Sequence, residues 1–286
     1  MTYCVGLQID QGLAFMSDTR TNAGVDNIST FRKMRIWEEP GERVIVLMSS
    51  GNLATTQSVI SLLDERSKAV SERVPTLLET PSMYQTARLV GNTVKEVIAN
   101  SAPEGQKAES YFNASFILGG QIRGGEPRLF MIYPEGNFIE SSEDTPFFQI
   151  GETKYGKPII VRTYDRKMDF AEVAKLLMVS FDSTLKSNLS VGLPLDMMFY
   201  ERDTFRAGLK RRIAQDDRQP GKIGAALREV LEAVLDHEDQ IAVAVAVGLA
   251  LGVAVALLGD GEVGLHLALP PDQLGRVLLR DRQARG

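Results

Sequence analysis

The second residue of the chain, Thr2, becomes a candidate nucleophile once the initiator methionine is removed. Threonine is small enough for methionine aminopeptidase to remove Met1. A terminal threonine then carries a hydroxyl that can attack a carbonyl and an α-amine that can take the proton. Because that amine has an ordinary pKa of about 7.7–8.0, part of it is neutral near physiological pH. This pairing predicts acyl transfer through an ester of the threonine hydroxyl.

A predicted hairpin brings a carboxylate close to Thr2. Alternating apolar residues at 3–9 and a second apolar run at 13–16 predict two strands, and Asp10-Gln11-Gly12 between them is a turn signal. The second strand of such a hairpin ends beside the start of the first. We therefore expect Asp18 to lie near Thr2, although it could also be an ordinary turn residue.

A third apolar run, residues 28–36, contains Lys33. If this run pairs into the same sheet, Lys33 can point into the same cleft. An ammonium there would favour the threonine alkoxide and lower the pKa of the α-amine, and a carboxylate would keep the ammonium charged. The alternative interpretation of Lys33 is a solvated cation on an exposed strand.

Short segments that together form a recognisable pattern occur at positions 2–5, 10–22, 31–34, 48–52, 150–156 and 190–194. Their combination resembles a proteasome-type β subunit and is most similar to the bacterial ancestral β subunit (Anbu) family. The similarity covers roughly residues 2–216.

The resemblance implies an α+β fold, the four-layer αββα sandwich of N-terminal-nucleophile hydrolases. It implies Thr2 as the nucleophile of a threonine-type peptidase, with Asp18 and Lys33 as its electrostatic partners. Gly51 matches the position whose backbone N–H lines the oxyanion hole, a donor that usually matters greatly for acyl transfer. Peptide or amide substrates and self-association into a ring or open spiral are further implications.

Two positions differ from the pattern of active proteasome subunits. Glu152 stands where they carry a serine, and Ser187 stands where they carry an aspartate three residues before Ser190. Ser190 could contact the N-terminal amine, or it could form a turn before Gly192. These departures motivate a second hypothesis, a proteasome-like assembly protein whose site is vestigial or narrow in specificity.

Composition excludes several other classes of function. A net charge of −5 over 286 residues provides no basic surface for nucleic acid. The only cysteine, Cys4, excludes an internal disulfide, fits a reducing cytoplasmic compartment, and is expected to pack as a small hydrophobe. Two isolated histidines predict no zinc site, and we expect no cofactor and no secretory signal.

The order of predicted elements is strands, two helices, strands, a helix and a strand, which fits two stacked sheets between helical layers. Helices are expected from 51 to about 70, after Thr80-Pro81, and from 170 to about 185. Later strands are expected at 115–119, 128–133, 147–150 and 197–201. The charged residues around Tyr164 predict a solvated loop.

The amino-acid composition changes near residue 217. No aromatic residue follows Phe205. We therefore expect a hydrolase domain at 1–217 and an extension of unclear role at 218–286. Within the extension, 223–235 predicts an amphipathic helix. The uncharged run 241–259 is long enough for a membrane span. Its alternation and acidic flanks instead favour strands, with a turn leading into 263–269.

Overall fold

The computed structural model describes residues 2–22, 28–68, 76–101 and 112–213, together with three short strands near the C-terminus. The chain divides into two compact units, Met1–Ala226 and Leu227–Gly286. The first unit contains every predicted site residue.

The elements of the first unit follow the chain in the predicted order. Its strands are β1 (Tyr3–Ile9), β2 (Gly12–Asp18), β3 (Arg20–Asn22), β4 (Ile28–Thr30), β5 (Met34–Glu39), β6 (Arg43–Gly51), β7 (Ala114–Ile122), β8 (Arg128–Ile132), β9 (Phe138–Glu140), β10 (Phe147–Gly151), β11 (Leu195–Glu201) and β12 (Lys210–Ile213). Its helices are α1 (Leu53–Arg66), α2 (Met83–Ser101), α3 (Lys157–Thr163) and α4 (Phe170–Ser187).

Two five-stranded antiparallel sheets form the centre of this unit. The first has the strand order β10-β1-β2-β11-β12, and the second has the order β5-β6-β7-β8-β9. The predicted N-terminal hairpin is present, with Cys4 paired to Ser17 and Tyr3 paired to Gly151 on the other side. Strands β3 and β4 form a separate two-stranded ribbon.

The sheets pack face to face through alternate apolar side chains of their strands. The buried cluster between them contains Cys4, Leu13, Phe15, Val44, Val46, Met48, Ile117, Leu129, Phe148, Ile150, Met198 and Tyr200. Because side chains alternate between the two faces of a strand, the residues between these point outward toward helices.

Helices cover both outer faces. Apolar residues of α1 and α2, including Val59, Leu63, Val90 and Val94, pack in one buried cluster with Leu118 and Phe130 of the second sheet. On the first sheet, Tyr3 packs against Phe181 of α4 with ring centroids 4.5 Å apart. The result is four layers, helices–sheet–sheet–helices, which confirms the predicted αββα sandwich.

The run 28–36 is not a single strand of the first sheet, which was the condition under which the sequence places Lys33 in the cleft. It divides into β4 and β5, and β5 joins the second sheet through β6. Met34 and Ile36 pack against the cluster between the sheets, whereas Trp37 belongs to the cluster beneath the helices. The apolar pattern of the run therefore identified strand character but not the sheet to which the strand belongs.

The segment before Tyr164 is also more ordered than predicted. Helix α3 begins with Pro158 in its first turn and ends at Thr163. The Tyr164 ring lies 6.1 Å from that of Phe147, and its hydroxyl donates to the carbonyl oxygen of Gln8. The expected solvated loop is present at 164–169, where residues are exposed or half-buried, and Tyr164 anchors the start of this loop to the first sheet.

In the C-terminal unit the described residues form three antiparallel strands: β13 (Val253–Leu258), β14 (Glu262–Leu267) and β15 (Arg276–Leu278). Leu258 pairs with Glu262, so a hairpin is present where the sequence predicts one. The predicted helix at 223–235 and the alternating run 241–247 lie outside the described residues. No helix in the described part of the chain is long and apolar enough to cross a membrane.

Candidate functional site

Thr2 lies at the start of the first sheet. Backbone hydrogen bonds of Thr2 and of the following residue, Tyr3, fix its position. Its carbonyl oxygen accepts a hydrogen bond from Glu152 N at 2.7 Å, and Tyr3 N donates to Asp18 Oδ1 at 2.9 Å. Strand alternation places Thr2 on the same face as Cys4. Since Cys4 Sγ lies 3.8 Å from Ser49 O of the second sheet, that face looks toward the end of β6.

Asp18 and Lys33 form a buried ion pair beside Thr2. Lys33 Nζ donates to Asp18 Oδ1 at 2.6 Å and to the carbonyl oxygen of Arg20 at 2.7 Å. The other carboxylate oxygen of Asp18, Oδ2, accepts from Arg20 N at 3.2 Å and from Gly192 N at 3.4 Å. Side-chain exposure is 0% for Asp18 and 5% for Lys33. Because all these partners donate, the arrangement fits an ionised carboxylate.

Burial raises the pKa of the Asp18 carboxyl above its ordinary range. The Lys33 ammonium and the N–H donors of Tyr3 and Gly192 oppose this effect by favouring the charged form. Protonation of Asp18 would remove the carboxylate that holds the Lys33 ammonium in place.

Lys33 reaches Asp18 from a segment outside the first sheet. It lies between β4 and β5, and its carbonyl oxygen accepts from Ser49 N at 3.0 Å. The condition that the run 28–36 pairs into the first sheet is therefore not met, although Lys33 Nζ still lies 2.6 Å from Asp18 Oδ1. The lysine is also not a solvated surface cation.

Gly51 ends β6 in a conformation that favours glycine. Its φ is +117°, and an added Cβ would lie 2.2 Å from the carbonyl oxygen of Asn113. Asn52 N bonds this Asn113 oxygen on the β7 side, and Ser49 N bonds Lys33 O on the β5 side. Because ladder bonds alternate along an antiparallel strand, the Gly51 N–H points to the same side of β6 as Ser49 N, the side of β5. An oxyanion role for this N–H stays a prediction.

Glu152 is a buried carboxylate whose acceptors are already occupied. Its Oε1 accepts from Thr153 N at 2.8 Å and Lys154 N at 2.6 Å, and its Oε2 accepts from Asn188 Nδ2. Burial raises the pKa of Glu152, but the bonds from Lys154, Asn188 and Thr153 outweigh burial and set it below the ordinary value. Glu152 therefore links two loops next to Thr2.

The second of these loops is organised by Asn188. Asn188 Oδ1 accepts from Ser190 N at 3.0 Å, and Val191 N donates to Asn188 O at 3.1 Å. Ser187, where proteasome subunits carry an aspartate, is exposed at the last position of α4. The turn thus uses the Asn188 side chain, and a contact of Ser190 with the N-terminal amine stays a prediction.

Arg20 holds the same loop and was not singled out by the sequence. Its Nη1 donates to Leu189 O at 2.7 Å. A Cβ added to Gly192 would lie 2.1 Å from Arg20 Nε, so the guanidinium packs directly on that glycine. In the sequence, Arg20 is marked only by its position two residues after Asp18. That position alone does not predict what its side chain contacts.

A cleft of about 570 Å³ lies at the end of the sandwich nearest Thr2. It is lined by Ser50, Gly51, Asn52, Asn113, Ser115, Met131, Gln149, Ile150, Gly151 and Thr153. Gly151 connects the cleft to Thr2: its φ is +89°, and an added Cβ would lie 1.9 Å from Thr2 O. The backbone around Gly151 therefore has no room for a side chain.

Cys4 behaves as the sequence predicts. It is fully buried between the sheets, and burial raises the pKa of its thiol. Since the thiolate is the reactive form, a raised pKa argues against nucleophilic chemistry at this residue.

The chain is similar to several solved protein structures. No protein-family model and no curated protein matched the chain. An Anbu (Gly-1) mutant from Hyphomicrobium sp. strain MC1 is 51% identical, with a TM-score of 0.70 over 82% of this chain and 97% of that one. Anbu (ancestral beta-subunit) from Yersinia bercovieri is 47% identical, with a TM-score of 0.71 over 84% and 99%.

A third structure is described as the helical assembly of the Anbu complex from Pseudomonas aeruginosa. It is 42% identical to this chain, with a TM-score of 0.70 over 84% of this chain and all of that one. The three proteins are similar to this chain over almost their entire length.

Proposed function

Because the chain belongs to the Anbu (ancestral β-subunit) family of proteasome-like β subunits, we propose that it is an N-terminal threonine hydrolase of peptides or amides. The observation that carries the proposal is the buried Asp18–Lys33 pair, 2.6 Å apart and bonded to the backbone of Tyr3, next to Thr2. Perturbed, buried charges that converge on a candidate nucleophile are typical of catalytic sites.

In the proposed reaction, removal of Met1 leaves Thr2 with a free α-amine. Thr2 Oγ1 attacks the scissile carbonyl carbon, and the α-amine accepts the hydroxyl proton. The Lys33 ammonium, held by Asp18, stabilises the forming alkoxide and keeps the pKa of the amine low. The Gly51 N–H donates to the oxyanion of the tetrahedral intermediate.

The intermediate then collapses with cleavage of the C–N bond. The leaving amine takes the proton from the α-amine of Thr2, and the acyl group remains as an ester on Oγ1. Water gives a proton to the same α-amine while its oxygen attacks the ester carbonyl. The acid product leaves, and the proton returns to Oγ1.

Intact-mass analysis after treatment with a peptide epoxyketone tests this proposal. We expect one adduct on a chain that lacks Met1, mapped to Thr2, and loss of hydrolysis in Thr2→Ala. Thr2→Ser is the matched control, because it keeps a hydroxyl and an α-amine and should still react. Full hydrolytic activity in Thr2→Ala, or Met1 retained in active protein, would contradict the proposal.

A second candidate function is a self-assembling protein with a vestigial or narrow-specificity site. The observation that favours it is Glu152, a residue only 4% exposed whose carboxylate is already engaged by three donors. A serine hydroxyl at this place could donate a proton, whereas this carboxylate only accepts. Absence of the epoxyketone adduct in the native assembly would favour this function.

We also propose that the chain assembles into a ring or spiral, as the Pseudomonas aeruginosa relative, described as a helical assembly, suggests. Residues 218–286 are proposed to be a separate extension of a hydrolase domain at 1–217, in a cytoplasmic protein. Size-exclusion chromatography with light scattering, on the full chain and on one truncated after Asp217, tests both ideas. An assembly of unchanged size would show that the extension is not needed for association.

A further inference from the structure

Asp196 is a second, largely buried carboxylate near Asp18. It lies on β11, where its strand partners are Ser17 of β2 and Arg212 of β12. The preceding residue, Leu195, pairs with Asp18, so the two carboxylates are one residue out of register on neighbouring strands. Only 15% of the Asp196 side chain is exposed.

The Asp196 side chain points toward the second sheet. Residues that pair directly across antiparallel strands lie on one face of the sheet, and Ser17 pairs with Cys4 as well as with Asp196. Cys4 Sγ contacts Ser49 O of β6, which identifies this face as the one between the sheets. A cation that adjoins the second sheet can therefore reach Asp196.

Two guanidinium groups stabilise the charge on Asp196. Burial raises the pKa of this carboxyl, and the positive charges of Arg212 and Arg32 oppose that effect. Arg212 Nη1 lies 3.4 Å from Asp196 Oδ1 and comes from the same sheet. Arg32, in contrast, lies between β4 and β5 and brings its charge from the side of the second sheet.

The segment 31–33, which connects β4 to β5, carries Arg32 and Lys33 next to each other. Lys33 bonds to Asp18 of β2, and the charge of Arg32 acts on Asp196 of β11. Two consecutive cations of one segment thus meet two carboxylates on neighbouring strands of the first sheet. A change in the path of the backbone at Arg32 moves the base of the Lys33 side chain as well, because a planar peptide unit joins the two residues.

We propose that Arg32 and Asp196 are positioning residues, which hold the segment 31–33 against the first sheet so that the Lys33 ammonium stays beside Thr2. The inference rests on the proposed hydrolase function and adds a second charged contact between the two sheets. Neither residue lines the described cleft, so both act through Lys33 and not on the substrate. Because Arg32 is exposed, its attraction to Asp196 is open to screening by salt.

The reactivity of the Lys33 amine tests the inference without any measurement of hydrolysis. Only 5% of the Lys33 side chain is exposed, compared with 59% for Lys186. In the unsubstituted protein we expect limited acetylation with acetic anhydride, followed by peptide mass mapping, to reach Lys33 far more slowly than Lys186. In Arg32→Met and Asp196→Asn, acetylation of Lys33 relative to Lys186 should rise about three- to tenfold, the lower part of the range for residues in contact.

Arg211→Met is the matched control, because it removes an exposed guanidinium from the opposite face of β12 to Arg212. It should leave acetylation of Lys33 unchanged, and so should Arg32→Lys, which keeps the positive charge. In the double variant Arg32→Met/Asp196→Asn, Lys33 should be no more reactive than in the stronger single variant, since both changes break one contact. Urea midpoints measured in parallel separate local release of Lys33 from general loosening of the fold.

The rate of Thr2 labelling by a peptide epoxyketone relates this positioning to the reaction. We expect Arg32→Met and Asp196→Asn to slow labelling and to lower kcat with KM unchanged, because neither side chain lines the cleft. Arg211→Met should have no such effect. Raised salt should slow labelling of the unsubstituted protein more than that of Arg32→Met, which has already lost the screened contact.

The two measurements distinguish failure of this inference from failure of the proposed function. Equal acetylation of Lys33 in Arg32→Met and Arg211→Met would overturn the inference, whatever the activity. Release of Lys33 that Arg32→Lys does not prevent, or that follows a lowered urea midpoint, would also overturn it. Release of Lys33 as expected, with no labelling of Thr2 even in the unsubstituted protein, would overturn the hydrolase function and leave the positioning of Lys33 supported.

Discussion

The ammonium nitrogen of Lys33 lies 2.6 Å from Asp18 Oδ1, although Asp18 belongs to one sheet of the sandwich and Lys33 adjoins the other. Asp18 ends β2 of the first sheet, and Lys33 immediately precedes β5 of the second. The ion pair therefore joins the two layers at the end where Thr2 begins the chain's first strand.

Removing one member of this pair should destabilise the protein strongly. Lys33→Met leaves the Asp18 carboxylate buried without its cation, which typically costs about 3–5 kcal/mol. In the double variant Asp18→Asn/Lys33→Met no charge is left unpaired, so most of that loss should be recovered. Urea unfolding at fixed protein concentration measures both. Additive losses in the double variant would show that the two side chains are not coupled.

Protonation of Asp18 at low pH should reduce hydrolysis. Protonation of the α-amine base lowers kcat/KM first as pH falls. Because burial raises the pKa of Asp18, we expect a second fall in kcat/KM with a midpoint above about 3.9, the ordinary aspartate value. A raised pKa means that the folded state favours the protonated Asp18 side chain. Titration of Asp18 therefore lowers the free energy of unfolding as pH rises, not as pH falls. Activity should therefore decline before the fold does, as circular dichroism at each pH would show. Coincident loss of activity and structure would point to a different cause.

Glu152 should have the opposite effect on stability. Its pKa is lowered in the folded protein, so the carboxylate contributes stability above about pH 4.3–4.5 that is lost as pH falls through the folded value. Glu152→Gln should reduce the free energy of unfolding by about 1–2 kcal/mol at pH 7, since bonds to a charged acceptor are lost. The difference between variant and unmodified protein should shrink toward pH 3. A difference that is independent of pH would contradict this assignment.

Gly151→Ala should displace Thr2. An added Cβ would lie 1.9 Å from Thr2 O, in addition to the strain at a φ of +89°. The control is Gly124→Ala, because Gly124 has a φ of +84° with no atom within 4 Å of an added Cβ. Gly124→Ala should cost only the conformational strain, about 1–2 kcal/mol, and leave epoxyketone labelling unchanged. Gly151→Ala should cost more and slow labelling at Thr2. Equal behaviour of the two variants would rule out close packing on Thr2 as the reason for Gly151.

Local patterns in the sequence predict much of this fold. Alternation in β1 and β2 and helical spacing in α1, α2 and α4 are visible because each of these elements buries one face. The hairpin length is enough to bring Asp18 to the start of β1. Lys33 shows the limit, because a short apolar run reveals strand character but not which sheet it joins.

The contacts of the two loops beside Thr2 could not be predicted in the same way. The bond from Asn188 to Glu152 joins residues 36 positions apart, and the contact between Arg20 and Leu189 spans 169 positions. Such contacts depend on how complete layers pack, and no local periodicity encodes them. The family pattern drew attention to Ser187 and Ser190, whereas the neighbouring Asn188 makes the contacts.

The origin of the Asp18–Lys33 pair in two different layers affects how the protein matures. Asp18 ends a strand of one sheet and Lys33 adjoins a strand of the other, so a chain in which only one sheet has formed has no cation beside Thr2. Contacts between residues of separate sheets form late, after their loop-closure entropy has been overcome. The proposed catalytic site is therefore complete only once the sandwich has closed.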